Sequence, residues 1–374
     1  MNRKFFALMA TVVALGLTPA ASGGPGPHGI STDNVKHVAF VPFEVGTATG
    51  ARIVGKYLYV TSWKSFSIYD VSNPANPQLE SITPFEFKFE NEDVATNGKI
   101  LIFSEELPNR SLHVWDVRDK ADPKKIATAD GLGQHTMSCV DNCKWLYGSD
   151  GFIIDLRKPS KPKLLSRRWG EDGTSNAHDV IQVGPNRVLT ASDPIQLLDT
   201  SNPAKPKIIA RSQLMNEFVH SVQWPNAGKD DFILATGETW FPGADALCTD
   251  STAGFSTWNA KNYKKTRTFQ MIDIMRPSAG TYVNGSPPVN APFGCSTHWF
   301  QQHPKFKNGG LVAAGFYNHG TRFLKVSKKG RISEAGWFVP HGGGTSAAYW
   351  RNKRFVYAID YQRGFDVLKY TGKL

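Results

Sequence analysis

The sequence predicts an all-β protein, a seven-bladed β-propeller, from its composition, an internal repeat and the two ends of the chain. The 374 residues include 34 Gly and 23 Pro, with 40% hydrophobic and 20% charged residues. This composition supplies enough apolar side chains for a large core, and its Gly and Pro content favours many turns and short strands over long helices. The formal net charge is +11, but Lys and Arg are spread along the chain, which argues against a nucleic-acid partner.

The N-terminus has the pattern of an export signal. Arg3 and Lys4 precede an apolar run at 5–17, and small residues follow near Ala20. This pattern predicts a signal peptide over 1–22 and an N-terminal linker over 23–33. The apolar run is shorter than the roughly 20 residues that span a bilayer, so we expect no membrane span and an exported protein, periplasmic or secreted.

An internal repeat predicts the architecture of the rest of the chain. Four segments carry an apolar-Asp-apolar motif, centred on Asp70, Asp116, Asp155 and Asp199 and followed by a proline-containing turn, and weaker copies follow at 272–274, 324–326 and 365–367. Each unit reads as short strands joined by turns whose Asp, Ser and Asn side chains cap backbone amides. Four strands in roughly 43 residues are typical of a propeller blade. The propeller is predicted over 34–374, with an insertion at about 239–296 in the fifth blade.

The chain ends predict how the ring closes. The last unit stops at Leu374, shortly after its third strand, and the segment 35–43 resembles the outer strand at 78–85. We therefore expect the N-terminal strand to complete the last blade, which would remove an exposed sheet edge.

The repeat motif resembles that of a known family. The turn D-V-S-N-P-A-N-P at 70–77, with its copy at 199–206, resembles the LVIVD-repeat proteins, a family of exported β-propellers. The resemblance implies the fold and export. It does not imply a particular chemistry, because one scaffold hosts many functions.

A second periodicity places histidines at one position of successive units: His135, His178, His220 and His298, with Glu92 in the same position one unit earlier. Innermost strands of a propeller line its axis, so equivalent residues converge there. Neutral imidazoles bind transition metals. We therefore predict a metal centre with these four histidines as ligands and Glu92 as a catalytic base or a further ligand.

Acidic residues recur at the end of the second strand of these units, at Glu105, Asp150, Asp193 and Glu238. Metal-bound histidines often donate their second N–H to a carboxylate, so these acids are predicted to orient the rings. Imidazole ligands without thiolates favour iron or copper over zinc and do not suit calcium or magnesium.

Residues around the same face are candidates for a substrate pocket: Trp240, Phe241, His319 and His341. An aromatic flap from the fifth-unit insertion is one interpretation, and a surface loop is the other. Four cysteines in an exported chain predict the disulfides Cys139–Cys143 and Cys248–Cys295, with free structural thiols as the alternative.

The sequence is compatible with two functions. The axial histidines are similar, in architecture only, to the four-histidine iron centre of carotenoid and stilbene cleavage oxygenases and to the histidine-rich propeller of selenium-binding-type methanethiol oxidases. This likeness implies an oxidoreductase acting on a small organic substrate, an aromatic one among the options. The alternative is a non-catalytic propeller that binds a partner or a surface glycan and whose His and Asp residues are structural. No feature of the sequence specifies an oligomeric state.

Overall fold

The computed structural model describes residues 29–43, 48–85, 92–106, 108–167, 177–215, 217–239, 253–276 and 294–374. The predicted export signal at 1–22 lies outside these ranges. Two four-residue helices, α1 (Pro225–Gly228) and α2 (Tyr263–Thr266), accompany many short strands. No helix in these ranges combines the length and the apolar character that crossing a membrane requires.

Consecutive strands form antiparallel four-stranded sheets in the first part of the chain, after two N-terminal strands, β1 (Gly29–Ser31) and β2 (Val35–Pro42). The first sheet contains β3 (Ala48–Val54), β4 (Tyr57–Ser62), β5 (Ser65–Asp70) and β6 (Gln78–Pro84). The second contains β7 (Ala95–Thr96), β8 (Ile100–Ser104), β9 (Leu112–Asp116) and β10 (Lys124–Ala129). The third contains β11 (Met137–Val140), β12 (Trp145–Gly148), β13 (Ile153–Asp155) and β14 (Lys163–Ser166).

An eight-stranded sheet follows, in which two meanders are joined along their outer strands. The first meander is β15 (Asp179–Gly184), β16 (Arg187–Ala191), β17 (Gln196–Asp199) and β18 (Lys207–Ser212). The second is β19 (Phe218–Gln223), β20 (Phe232–Glu238), β21 (Phe255–Asn259) and β22 (Thr268–Met275). The two meanders join through a short parallel pairing of β18 with β22.

The last two sheets each recruit an N-terminal strand. One consists of β23 (Phe300–Gln302), β24 (Gly310–Gly315), β25 (Thr321–Val326) and β26 (Ile332–Pro340), with β1 along β26. The other consists of β27 (Thr345–Trp350), β28 (Phe355–Asp360) and β29 (Gly364–Tyr370), with β2 along β29. The predicted pairing of the N-terminal strand with the last unit is therefore observed.

The repeated turn owes its shape to short polar side chains. Asp70 Oδ1 accepts the Ser72 amide at 2.7 Å, and Asn73 Oδ1 accepts the Ala75 amide at 3.2 Å. The copy that begins at Asp199 forms the same pair of bonds, at 2.8 and 3.2 Å. Asx turns of this kind satisfy backbone donors between strands, as the sequence predicts.

The hydrophobic core lies between neighbouring sheets. Clusters of buried side chains join each sheet to the next, and one of them contains Val41 of β2, Leu58 of β4 and Phe365 of β29. The first and last sheets therefore pack against each other, and the sheets close into a ring. Burial of apolar area at these interfaces is the main favourable term that holds such a ring together.

Three expectations about segments need correction. Residues 29–31, predicted as linker, form β1 because their backbone pairs with the edge of β26. Within the predicted insertion at 239–296, Phe255, Trp258 and Tyr263 are buried core residues rather than a flap. The weak repeat copy at 272–274 lies in the outer strand β22, because β21 (Phe255–Asn259) forms the third strand of this unit.

Candidate metal centre

The predicted ligands stand at the start of the first strand of successive sheets. Glu92, His135, His178 and His298 lie just before β7, β11, β15 and β23, and His220 lies within β19. The first strands of neighbouring sheets contact one another, so they surround a common axis. Residues at the same position of each strand are therefore brought to one place, as the periodicity predicts.

The imidazole nitrogens converge on the carboxylate of Glu92. His220 Nε2 and His298 Nε2 each lie 3.0 Å from Glu92 Oε2. His178 Nε2 lies 3.8 Å from the same oxygen, and His135 Nε2 lies 3.5 Å from Oε1. The Nε2 atoms of His135 and His178 are 3.1 Å apart. The predicted convergence of four histidines and Glu92 is thus present.

Glu238 is a second carboxylate in the same cluster. Its oxygens lie 3.9 Å from both His220 Nε2 and His298 Nε2. Two overlapping groups have ligand atoms within 4.8 Å of one another: Glu92 with His178 and His220, and Glu238 with His220 and His298. We call these five residues, together with His135, the axial cluster.

The axial cluster is closed to solvent except at one member. His220 and His298 are 0% exposed, Glu92 is 4% exposed and Glu238 is 6% exposed. The side chain of His135 is 23% exposed. Buried ionisable groups are costly unless they are paired or bind a metal, so this concentration of them requires an explanation beyond packing.

Backbone carbonyls orient two of the rings. His178 Nδ1 faces the His220 carbonyl at 3.0 Å, and His298 Nδ1 faces the Ser346 carbonyl at 2.8 Å. A carbonyl accepts only from a protonated nitrogen, so Nδ1 carries the hydrogen and the Nε2 lone pair points to the centre. Carbonyls rather than acids therefore hold these two rings, because each imidazole already reaches the backbone of the neighbouring strand.

The four predicted orienting acids have separate environments. Glu105 pairs with His113 Nε2 at 2.9 Å. Asp150 pairs with Arg110, and Asp193 accepts the Met215 amide at 2.8 Å. Glu238 differs from these three because it faces Nε2 atoms, the metal-binding side of the rings.

The pKa shifts of three cluster members favour the binding of a cation. Burial would raise the pKa of the Glu92 carboxyl, but attraction by His298 and hydrogen bonds from His135 and His220 hold it well below its usual value. Burial and the charge of His298 lower the pKa of His220 to about 3. Burial, followed by repulsion from His220, also lowers the pKa of His178 well below its usual value. Neutral imidazoles beside an ionised carboxylate are the protonation states that metal binding requires.

Two remaining members have raised pKa values. Burial lowers the pKa of His298, but the nearby Glu92 and Glu238 carboxylates outweigh burial, and the pKa rises above its usual value. Burial raises the pKa of Glu238 to about 7, and repulsion from Glu92 acts in the same direction while His298 opposes both. Glu238 is therefore a proton acceptor close to neutral pH within the cluster.

Two aromatic residues that the sequence analysis did not assign to the site adjoin the cluster. Tyr317 donates its hydroxyl to Glu238 Oε1, and its ring centroid lies 4.8 Å from that of His298. Trp299 packs edge-on against His220 with centroids 5.0 Å apart. Tyr317 lies where the acid of its unit is missing from the sequence, and this gap was the available signal. Trp299 follows a predicted ligand but has no periodic counterpart.

The other predicted site residues fall in different places. His319 is buried beside Phe316, where burial and Arg322 lower its pKa well below the usual value. His341 is exposed. Trp240 and Phe241 lie outside the described residues.

One predicted disulfide, Cys139–Cys143, is present. Cys295 is also disulfide-bonded, but Cys248 lies outside the described residues, so its pairing stays a prediction.

The donor set fits a transition-metal ion. Donor atoms 3.0 to 3.9 Å apart can share an ion at the about 2.0 to 2.2 Å typical of imidazole and carboxylate ligands. Two donors at that distance lie at most about 4.4 Å apart on opposite sides of the ion. The buried His/Glu cluster is therefore compatible with a metal site, and its donors do not select one metal.

Comparison with known proteins identifies the repeat and the fold. Residues 45–83 match the family model of the LVIVD repeat. Among curated proteins, none matches the sequence significantly. Hydrazine synthase of Kuenenia stuttgartiensis is structurally similar, with a TM-score of 0.57 and 12% identity over 87% of this chain and 96% of that chain.

Two further solved structures resemble the chain. The WD40 β-propeller domain of Doa1 has a TM-score of 0.56 and 10% identity over 90% of this chain and 98% of that one. The N-terminal domain of Nup159 has a TM-score of 0.56 and 11% identity over 90% and 95%. Such low identities bear on the fold alone. With the closed ring of sheets, they show that this chain is a β-propeller containing an LVIVD repeat.

Proposed function

We propose that this protein is an exported, metal-dependent oxidoreductase whose centre is the axial cluster. The observation that carries the proposal is the convergence of His135, His178, His220 and His298 on Glu92, with Nε2-to-carboxylate distances of 3.0 to 3.8 Å. Repeated structural histidines in a propeller would pair within their own sheets, whereas these meet between sheets.

The ion would be held by His178, His220, His298 and Glu92. Glu238 and His135 would be available as further ligands. A bound iron or copper ion would supply one-electron and dioxygen chemistry, which imidazole and carboxylate ligands support. Glu92 and Glu238 differ in the direction of their pKa shifts. Glu92 therefore stays an anionic ligand, while Glu238 is suited to accept and return a proton near neutral pH.

The substrate class follows from the open side of the cluster. His135 is its most exposed member, and Phe218, which is 40% exposed, packs edge-on against His178 with centroids 5.3 Å apart. An exposed aromatic ring beside partly accessible imidazoles suits a small organic substrate with an apolar or aromatic part.

We also propose seven blades and export. The eight-stranded sheet divides into two meanders at the β18–β22 pairing, and the resulting four-stranded units number seven. The Cys139–Cys143 disulfide supports export, because disulfides persist in oxidising compartments.

A non-catalytic binding propeller is the second candidate. The observation in its favour is that the chain uses a histidine–acid pair structurally elsewhere: His37 Nε2 lies 2.9 Å from Asp366 Oδ1 between β2 and β29. In that case the axial cluster would be a buried polar network that fixes the positions of the sheets.

Elemental analysis of the purified protein separates the two functions. The enzyme predicts near-stoichiometric iron or copper, lost in His178→Ala and kept in the exposed control His341→Ala. The binding propeller predicts no bound transition metal in any of the three proteins, even after incubation with Fe²⁺ or Cu²⁺ and gel filtration.

A further inference from the structure

A cavity of about 130 Å³ lies next to the axial cluster along the propeller axis. Residues of the first strands of the surrounding sheets line it, and many of these residues lie one to three positions beyond a cluster member in sequence. They include Asp93 after Glu92, Ser138 after His135 and Asp179 after His178. The cavity therefore continues the channel in which the cluster sits.

The cavity extends from partly exposed side chains to Glu92 of the axial cluster. At its outer end the side chain of Arg52 is 43% exposed, Gln182 is exposed and Gln223 is partly exposed. At its inner end Glu92 lines the wall, and the same carboxylate contacts His220 and His298 at 3.0 Å. These two histidines have no solvent exposure of their own. Among the described members of the axial cluster, only Glu92 also lines the cavity.

The charge in the cavity favours cations. Two buried carboxylates, those of Glu92 and Asp93, face one guanidinium, that of Arg52. Asp179 is a third acidic side chain, whose pKa is raised to about 7 by burial and by repulsion from Asp93. Asp93 Oδ1 holds Arg52 Nη2 at 2.9 Å, so this positive charge is already paired. A narrow passage with low-dielectric walls and net negative charge concentrates cations and repels anions.

Oxygen atoms of three neighbouring side chains line the cavity. Ser138 Oγ lies 2.9 Å from Asp93 Oδ2 and 2.9 Å from Asp179 Oδ1. A hydroxyl has one hydrogen and can donate it to only one of the two carboxylates. These three side chains therefore place oxygen atoms next to one another along the cavity wall. Oxygen ligands hold late transition metals less firmly than imidazoles do, so an ion would pass on to the cluster.

We infer that this axial cavity is the route by which a metal ion enters and leaves the axial cluster. The inference rests on the proposed metal centre and assigns a role to residues that do not bind the metal in its final position. The volume leaves room for about four waters at roughly 30 Å³ each, so the ion travels partly hydrated.

Obstruction of the cavity tests the route. Gln223→Trp fills its outer end, and Ser138→Leu fills its middle. Gln78→Trp, an exposed position on β6, is the matched control. The metal-free proteins are mixed with Co²⁺, uptake is followed by stopped-flow absorbance, and release is followed after addition of a chelator. A barrier on the route slows uptake and release by the same factor, because it changes the height of the barrier and not the bound state.

We expect Gln223→Trp to slow both processes at least tenfold while the Kd for Co²⁺ stays at the wild-type value. Ser138→Leu should act in the same direction, and Gln78→Trp should match the wild type. Unchanged rates in a folded Gln223→Trp variant would overturn the route while leaving the metal centre intact. A raised Kd with an unchanged uptake rate would also overturn it, since that result would mean that Gln223 affects the affinity of the bound state and not the path of entry. A wild-type protein that binds no Co²⁺ would refute the proposed metal centre itself, and the route with it.

Discussion

Replacement of Glu92 by glutamine tests the centre of the axial cluster most directly. The side chain keeps its size but loses its charge and one acceptor oxygen, and the wild-type carboxylate lies 3.0 Å from both His220 Nε2 and His298 Nε2. A hydrogen bond to a charged group is worth about 1.5 to 3 kcal/mol, so weakening of the bond between His220 and Glu92 should lower the unfolding free energy of the metal-free protein by up to about 3 kcal/mol.

Glu92→Gln should also weaken metal binding. Replacement of a residue that only supports a metal ligand typically weakens metal binding 10- to 100-fold. Glu92 is an anionic ligand itself, so we expect its replacement to raise the Kd for Co²⁺ more than about 100-fold, or about 2.7 kcal/mol. Chelator competition measures the Kd, and urea denaturation measures the unfolding free energy. Glu80→Gln, on the exposed outer strand β6, is the control. Wild-type affinity in Glu92→Gln would refute the view that the cluster binds the metal around this carboxylate.

Three further predictions follow from the same contacts. Tyr317→Phe removes the donor to Glu238 and should lower the unfolding free energy by about 1 to 3 kcal/mol in urea denaturation; an unchanged value would mean that this bond is not important for stability. The folded-state pKa of Glu238 is raised to about 7, so its contribution to stability is fully present below its unfolded pKa and is lost as the pH rises to about 7. Denaturation of the metal-free protein at pH 4 to 8 should show this loss, and Glu238→Gln should lack it. Cys143→Ser opens a loop whose ends are 4 residues apart in sequence; it should cost about 2 kcal/mol in thermal unfolding and leave the Kd for Co²⁺ unchanged, and a changed Kd would contradict the separation of the disulfide from the cluster.

The repeated turns and the axial ligands could be predicted because their signals are local or periodic. An Asp or Asn side chain can accept a hydrogen bond from the amide two residues later and so form a turn. The motif at 70–77 therefore predicts its turn from local residues alone. Histidines at one position of successive units must come together if the sheets form a ring, so their spacing predicted convergence without coordinates.

Other features depend on partners that are distant in sequence. Backbone carbonyls orient His178 and His298 because each ring meets the neighbouring strand. A sequence shows side chains but not which carbonyl faces them, and acids at repeated positions were therefore assigned that role. In the fifth unit, the segment 255–259, with Trp258 buried between sheets, forms the third strand although the weak repeat copy lies at 272–274.

The sequence by itself determined the all-β class, the repeat unit and the set of residues that meet on the axis, since periodic side chains and turn residues act over a few positions. Only the tertiary structure decided that Glu238 belongs to the cluster and bonds to Tyr317, that carbonyls hold two of the rings, and that a cavity with acidic side chains continues beyond Glu92. These features arise from contacts between separate sheets, and their geometry exists only once the ring has closed.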